Sequence, residues 1–116
     1  FWPGFNLSDT DEWEKATYVL YLHGGIHLYR APKGETYKYK AADGSNLLAS
    51  FGTRATGVPL FVAEGDAPSK LEAIRRSDYL TFAYSKLLNH DGPMVIFGSS
   101  LGPSDKHITD AINKAK

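Results

Sequence analysis

Three short apolar runs divide the chain: Tyr18 to Leu22 (YVLYL), Pro59 to Ala63 (PLFVA) and Met94 to Phe97 (MVIF). Each is too short for a core helix, is rich in β-branched or aromatic residues, and is bounded by Gly, Pro or polar positions, so each predicts a strand. Apolarity without alternation implies cover on both faces, the signature of a parallel sheet. Helical spacing occupies the intervals, as parallel crossovers require. Leu80, Phe82, Ala83, Tyr84, Leu87 and Leu88 form one wide stripe, with Ser77 or Asp78 placed to cap its start. Pro68 to Arg76 predicts a separate short helix presenting Leu71 and Ile74. Ile108, Ala111, Ile112 and Ala115 predict a last helix after Ser104 and Asp105, with Lys114 and Lys116 suited to its C-terminal dipole. Ser45 to Thr53 and Asp9 to Lys15 give weaker helical patterns, the acidic run Asp9, Asp11, Glu12 and Glu14 reading as a solvated helix start with Trp13 turned inward.

The stretch His27 to Lys40 (HLYRAPKGETYKYK) has a different rhythm. Tyr37 and Tyr39 alternate with Thr36, Lys38 and Lys40, and Pro32 to Glu35 is a turn sequence, so an antiparallel hairpin is expected after the first strand. The whole pattern predicts a three-layer, Rossmann-like α/β fold: a partial, mostly parallel open sheet of about three core strands with an inserted β-hairpin. Such sheets bind ligands at the carboxyl ends of their strands, where His23 and Ser99 would lie.

Composition narrows the function. At 116 residues the chain is a single domain, and 13 basic against 13 acidic residues leave no net charge. That balance gives no electrostatic case for nucleic acid or an anionic membrane. Tyrosines interleaved with lysines in the hairpin could stack on bases, but a half-exposed hairpin with amphipathic side chains is the favoured reading. The sequence has no cysteine, which excludes disulfides and thiolate metal sites and fits a reducing, cytoplasmic setting. No run approaches the roughly 20 apolar residues of a membrane helix. The chain opens on FWPGF and stops at AINKAK inside a helical pattern, so it reads as the C-terminal part of a longer protein.

Two junctions carry candidate chemistry. At the first, Leu22-His23-Gly24-Gly25 ends an apolar run; at the second, Gly98-Ser99-Ser100-Leu101-Gly102 ends another. The second fits the G-x-S-x-G elbow of serine hydrolases with Ser100 as nucleophile, and His23-Gly24-Gly25 partly resembles an oxyanion-hole segment. The hydrolase order then requires an acid and a histidine further along, and only Asp105, His107 and Asp110 follow, all at one short helix. His27 lies four residues from His23, a span of about 13 Å in an extended chain, too far to share one ion, and no metal site is expected. Glu64 before Gly65 is a further polar group at a strand end.

Four segments in order, LHG at Leu22 to Gly24, PLFVAEG at Pro59 to Gly65, SDYLTFAYSKL at Ser77 to Leu87, and VIFGSSLGPSDKHI at Val95 to Ile108, together resemble the C-terminal half of a sirtuin-like (Sir2-like) domain of a bacterial family of uncharacterised function. The resemblance covers the chain from about Tyr18 onward. It implies NAD or a related nucleotide as ligand, His23 as the base acting on the nicotinamide ribose, and Gly24, Gly98, Ser99, Ser100, Leu101 and Asp105 as cofactor-binding positions. The family's glycine-rich loop and sugar-binding Asn would precede Phe1, in a missing N-terminal half that the parent chain supplies. Without zinc-binding cysteines, NAD hydrolysis by the intact parent is implied rather than lysine deacetylation, and the fragment alone would be inactive. The non-enzymatic alternative is a nucleotide-sensing or protein-interaction module. A half-sheet with an apolar flank also implies self-association.

Overall fold

The computed structural model describes residues 4–9, 17–39 and 57–115. The helix expected over Ser45 to Thr53 and nearly all of the one over Asp9 to Lys15, with Trp13, lie outside these residues. Strand β1, Gly24–Arg30, pairs antiparallel with β2, Thr36–Lys38, through Leu28↔Lys38, Tyr29↔Tyr37 and Arg30↔Thr36. The expected hairpin therefore forms, turned by Pro32 to Glu35: Gly34 takes φ +98° and Ala31 N–H donates to Glu35 O at 2.9 Å. Strand β3, Val58–Phe61, lies antiparallel on the other side of β1, giving the order β2-β1-β3.

This three-stranded antiparallel sheet replaces the mostly parallel, Rossmann-like sheet that the apolar runs predict. Only Pro59 to Ala63 of the three runs overlaps a strand. Tyr18 to Leu22 alternates instead: Tyr18, Leu20 and Leu22 are half-buried while Val19 and Tyr21 are exposed. Met94 to Phe97 forms no strand, and Phe97 is 97% exposed. An apolar run shows that a segment favours an extended, covered position, but only a neighbour with free backbone groups makes it a strand. The segment that finds such neighbours begins at the glycines, Gly24–Arg30, just past the end of the first predicted strand.

Among the described residues, three helices complete an α+β domain. Helix α1, Ala67–Arg75, is capped by Asp66, whose side chain accepts from Ser69 N–H, with Pro68 in its first turn. Helix α2, Asp78–Leu88, is capped by Ser77, which accepts from Leu80 N–H at 3.3 Å. Helix α3, Lys106–Lys114, continues a short 3-10 turn over Pro103–Asp105. All three match helices expected from the apolar spacing. Leu28, Leu60, Ile74, Tyr79, Leu80, Phe82 and Phe5 form the buried core between sheet and helices.

A polar seam sets the sheet on α2. Thr36 is fully buried, and its hydroxyl donates to Asp78 Oδ1 at 2.6 Å, beside the buried cap Ser77. The Tyr79 hydroxyl oxygen accepts from Tyr21 N–H at 3.0 Å and so ties the segment before β1 to the same helix.

Gly24 is needed where β1 meets β3. Its φ is +77°, and a Cβ there would lie 2.0 Å from Leu60 O. Gly24→Ala is therefore expected to lower stability by about 2 kcal/mol or more, left-handed strain and backbone clash combined. Gly34→Ala, at φ +98° with nothing within 4 Å, adds only the strain, about 1–2 kcal/mol. Urea unfolding midpoints of the two variants measure the difference.

Candidate functional site

His23 sits in the tight turn that precedes β1. Gly24 N–H donates to Tyr21 O at 3.0 Å, closing the turn, and His23 O accepts from Val62 N–H at 2.8 Å, anchoring it to the chain just beyond β3. The imidazole thus stands before a strand, not at the carboxyl end of one, as the parallel sheet had implied. It meets the start of α3, where His23 Nε2 and His107 Nε2 lie 2.8 Å apart. His107 is 4% exposed, and its carbonyl accepts from the Tyr84 hydroxyl on α2 at 2.8 Å.

Asp105 joins the pair: one side-chain ligand atom from each of His23, Asp105 and His107 lies within 4.8 Å of the other two. As the residue before α3, Asp105 would ordinarily cap that helix, yet its side chain makes no cap hydrogen bond. Its Oδ1 accepts instead from Lys70 Nζ on α1 at 2.8 Å. The Lys70 side chain is 8% exposed, and a buried ammonium is retained only when paired. Sequence pattern places Lys70 on a helix and His107 in a first turn, and neither position by itself signals a site. The one local clue is the Asp105-x-His107 spacing at a helix start.

Electrostatics keep the imidazoles neutral. Burial lowers the pKa of His23 below 6.5, helped by Lys70 and opposed by Asp105. His107 is lowered by burial and then by His23, with Lys70 adding and Asp105 and Asp110 opposing. The hydrogen bond from Lys70 lowers the Asp105 carboxyl, so it is ionised at neutral pH. Between two neutral imidazoles one Nε2 must donate and the other accept. His107 Nδ1 is buried without a hydrogen-bond partner. A proton there would be an unpaired buried N–H, so the proton belongs on Nε2, donating to His23, and His23 carries its own on Nδ1.

The remaining predicted positions are arranged differently. Gly24 makes the close approach to Leu60 described above. Gly98, Ser99 and Ser100 lie in an exposed loop with no strand before it, Gly98 at φ +70° and Leu101 at φ +45°. Ser99 Oγ accepts from Leu101 N–H at 3.3 Å, and among the described residues no hydrogen bond joins Ser99 or Ser100 to either imidazole. The left-handed non-glycine residue of the loop is Leu101, one past the position a nucleophile elbow would strain. His27 packs its ring on Tyr21, with centroids 4.6 Å apart. Glu64 is exposed.

Fold and site together define a small α+β domain whose turn and helix ends converge on a histidine pair. The chain belongs to the family described as Domain of unknown function (DUF4917), whose model matches residues 5–116. No curated protein and no solved structure matches it significantly.

The lowered histidines fix the sign of a pH dependence. In the unfolded chain both take up protons near 6.5; in the folded chain they resist until lower pH. The unfolded state then binds more protons, so the stability present above about pH 6.5 is lost as pH falls through the folded values. Urea midpoints measured with chelator present should decline from pH 7 to pH 5, and the decline should shrink in His23→Ala.

Proposed function

We propose that the intact protein binds a nucleotide of the NAD class beside the His23 turn and hydrolyses its nicotinamide–ribose bond, nicotinamide leaving as a water oxygen bonds the ribose carbon, with His23 taking a proton from a ribose hydroxyl. The observation that carries this reading is the meeting of His23 with Asp105. These residues belong to two of the segments that resemble a sirtuin-like domain, and each is expected at one nucleotide. His23 Nε2 holds a lone pair that His107 N–H satisfies. A ligand hydroxyl entering beside the pair takes the place of that donor and presents its proton to the same lone pair. A positioned general base contributes about 10²–10⁴-fold to rate. Asp105, held by Lys70, offers its other oxygen to a hydroxyl, and the exposed Gly98 to Leu101 loop leads directly toward it along the chain.

One feature favours a second reading, in which the nucleotide is bound and sensed without turnover. The His23 lone pair is already engaged by His107, and the Lys70 ammonium is already paired with Asp105. Binding then needs no chemistry.

NAD consumption by the full-length protein, followed by chromatography of nicotinamide release, separates the two. Turnover that falls about 10²-fold or more in His23→Ala, with the fold intact by circular dichroism, supports the base role. Equal turnover in both proteins removes His23 from the mechanism. No turnover, with calorimetric NAD binding that weakens in His23→Ala, supports the sensing reading.

A further inference from the structure

We propose that His23, His107 and Asp105 form a binding site for a divalent transition-metal ion of the zinc class, held by the two Nε2 atoms and one carboxylate oxygen. This inference goes beyond nucleotide binding and does not depend on it.

The donor set is two imidazoles and a carboxylate, borderline ligands that suit Zn²⁺, Co²⁺, Ni²⁺ and Fe²⁺. Bonds of about 2.0–2.1 Å to a tetrahedral ion put ligand atoms about 3.3 Å apart. The imidazole nitrogens stand 2.8 Å apart, and all three ligand atoms lie within 4.8 Å of one another. The pair therefore has to open by about half an ångström, and the Asp105 oxygen has to reach the same separation from both nitrogens. Three protein ligands leave a fourth position for water or a ligand atom, the arrangement of an open rather than a structural site.

The frame around the ligands holds them in place. His23 is fixed by the turn before β1, His107 by the Tyr84 hydroxyl on its carbonyl, and Asp105 by Lys70 on Oδ1. Since Lys70 occupies Oδ1 alone, Oδ2 remains for the ion, and the ammonium orients the carboxylate as outer partners of metal ligands do. Two features oppose tight binding. The Lys70 charge repels the cation, and metallation of His107 Nε2 moves its proton to Nδ1, which is buried without a partner. A missing outer partner costs about 10–100-fold in affinity, so a modest and reversible site is expected. The ion also takes the His23 lone pair that proton transfer requires, so metal occupancy and base action exclude each other.

The test uses full-length protein stripped with chelator and titrated with Co²⁺ in the absence of nucleotide. A saturable visible absorption of tetrahedral Co²⁺ is expected, one equivalent, displaced by Zn²⁺. His23→Ala and Asp105→Asn should weaken it more than about 10-fold, the lower end for loss of even an outer partner. His27→Ala should leave it unchanged. Folding of every variant is checked by circular dichroism. If Asp105→Asn unfolds, His23→Ala still decides. No tetrahedral spectrum, or one that His23→Ala leaves intact, overturns the site. Metal binding without nucleotide turnover or binding would instead remove the nucleotide reading alone, and zinc-insensitive turnover with no cobalt spectrum would remove the metal site alone.

Discussion

The contact on which the site depends is the grip of Lys70 on Asp105. A lysine at the inward side of α1 must bring its ammonium to a counter-charge or lose its charge, and the carboxylate that answers stands at the threshold of α3. That pairing takes Asp105 away from the capping role its position invites and locks the first turn of α3 against α1. His107, two residues on, is carried by the same turn to the imidazole of His23. Without the ion pair, α3 would keep its apolar stripe and the Tyr84 hydroxyl on its first turn, but would lose its charged tie to α1.

Around this contact the polar groups of the interior are distributed with some economy. The buried hydroxyls of Thr36 and Ser77 meet Asp78 and the start of α2, joining sheet to helix, while the Tyr79 oxygen accepts from the chain entering the His23 turn. Buried polar atoms that are paired specify one arrangement of the elements; unpaired ones mark strain or unfinished business with a ligand. Within the cluster the unpaired atom is His107 Nδ1, and it governs both the tautomer of the pair and the cost of placing an ion on it.

The antiparallel sheet changes the logic of the site. In a parallel α/β fold a ligand collects at the carboxyl ends of several strands, and the apolar runs point toward that arrangement. Here the sheet only backs the cluster: it supplies the turn before β1 and the edge near Val62, and the ionisable groups arrive from helix α1 and from the entry to α3. Exposed apolar residues at Val95 and Phe97 show that MVIF has strand-like composition without a ladder to join.

Helices α1, α2 and α3 were legible because each buries one stripe, and a stripe at helical spacing needs nothing beyond the segment itself; the Ser77 cap and the Pro32 to Glu35 turn are equally local. His23 and Asp105 stood out in the sequence from their motifs, yet nothing in either motif showed that they meet. Strand pairing was not legible, because an extended segment is completed by whichever backbone lies alongside it, and YVLYL and MVIF carry no information about that neighbour. The partnership of His107 and Lys70 was hidden for the same reason. Their role arises from positions 35 residues or more from their partners, where only the packing of α1 and α3 against the His23 turn brings charge, imidazole and carboxylate within reach.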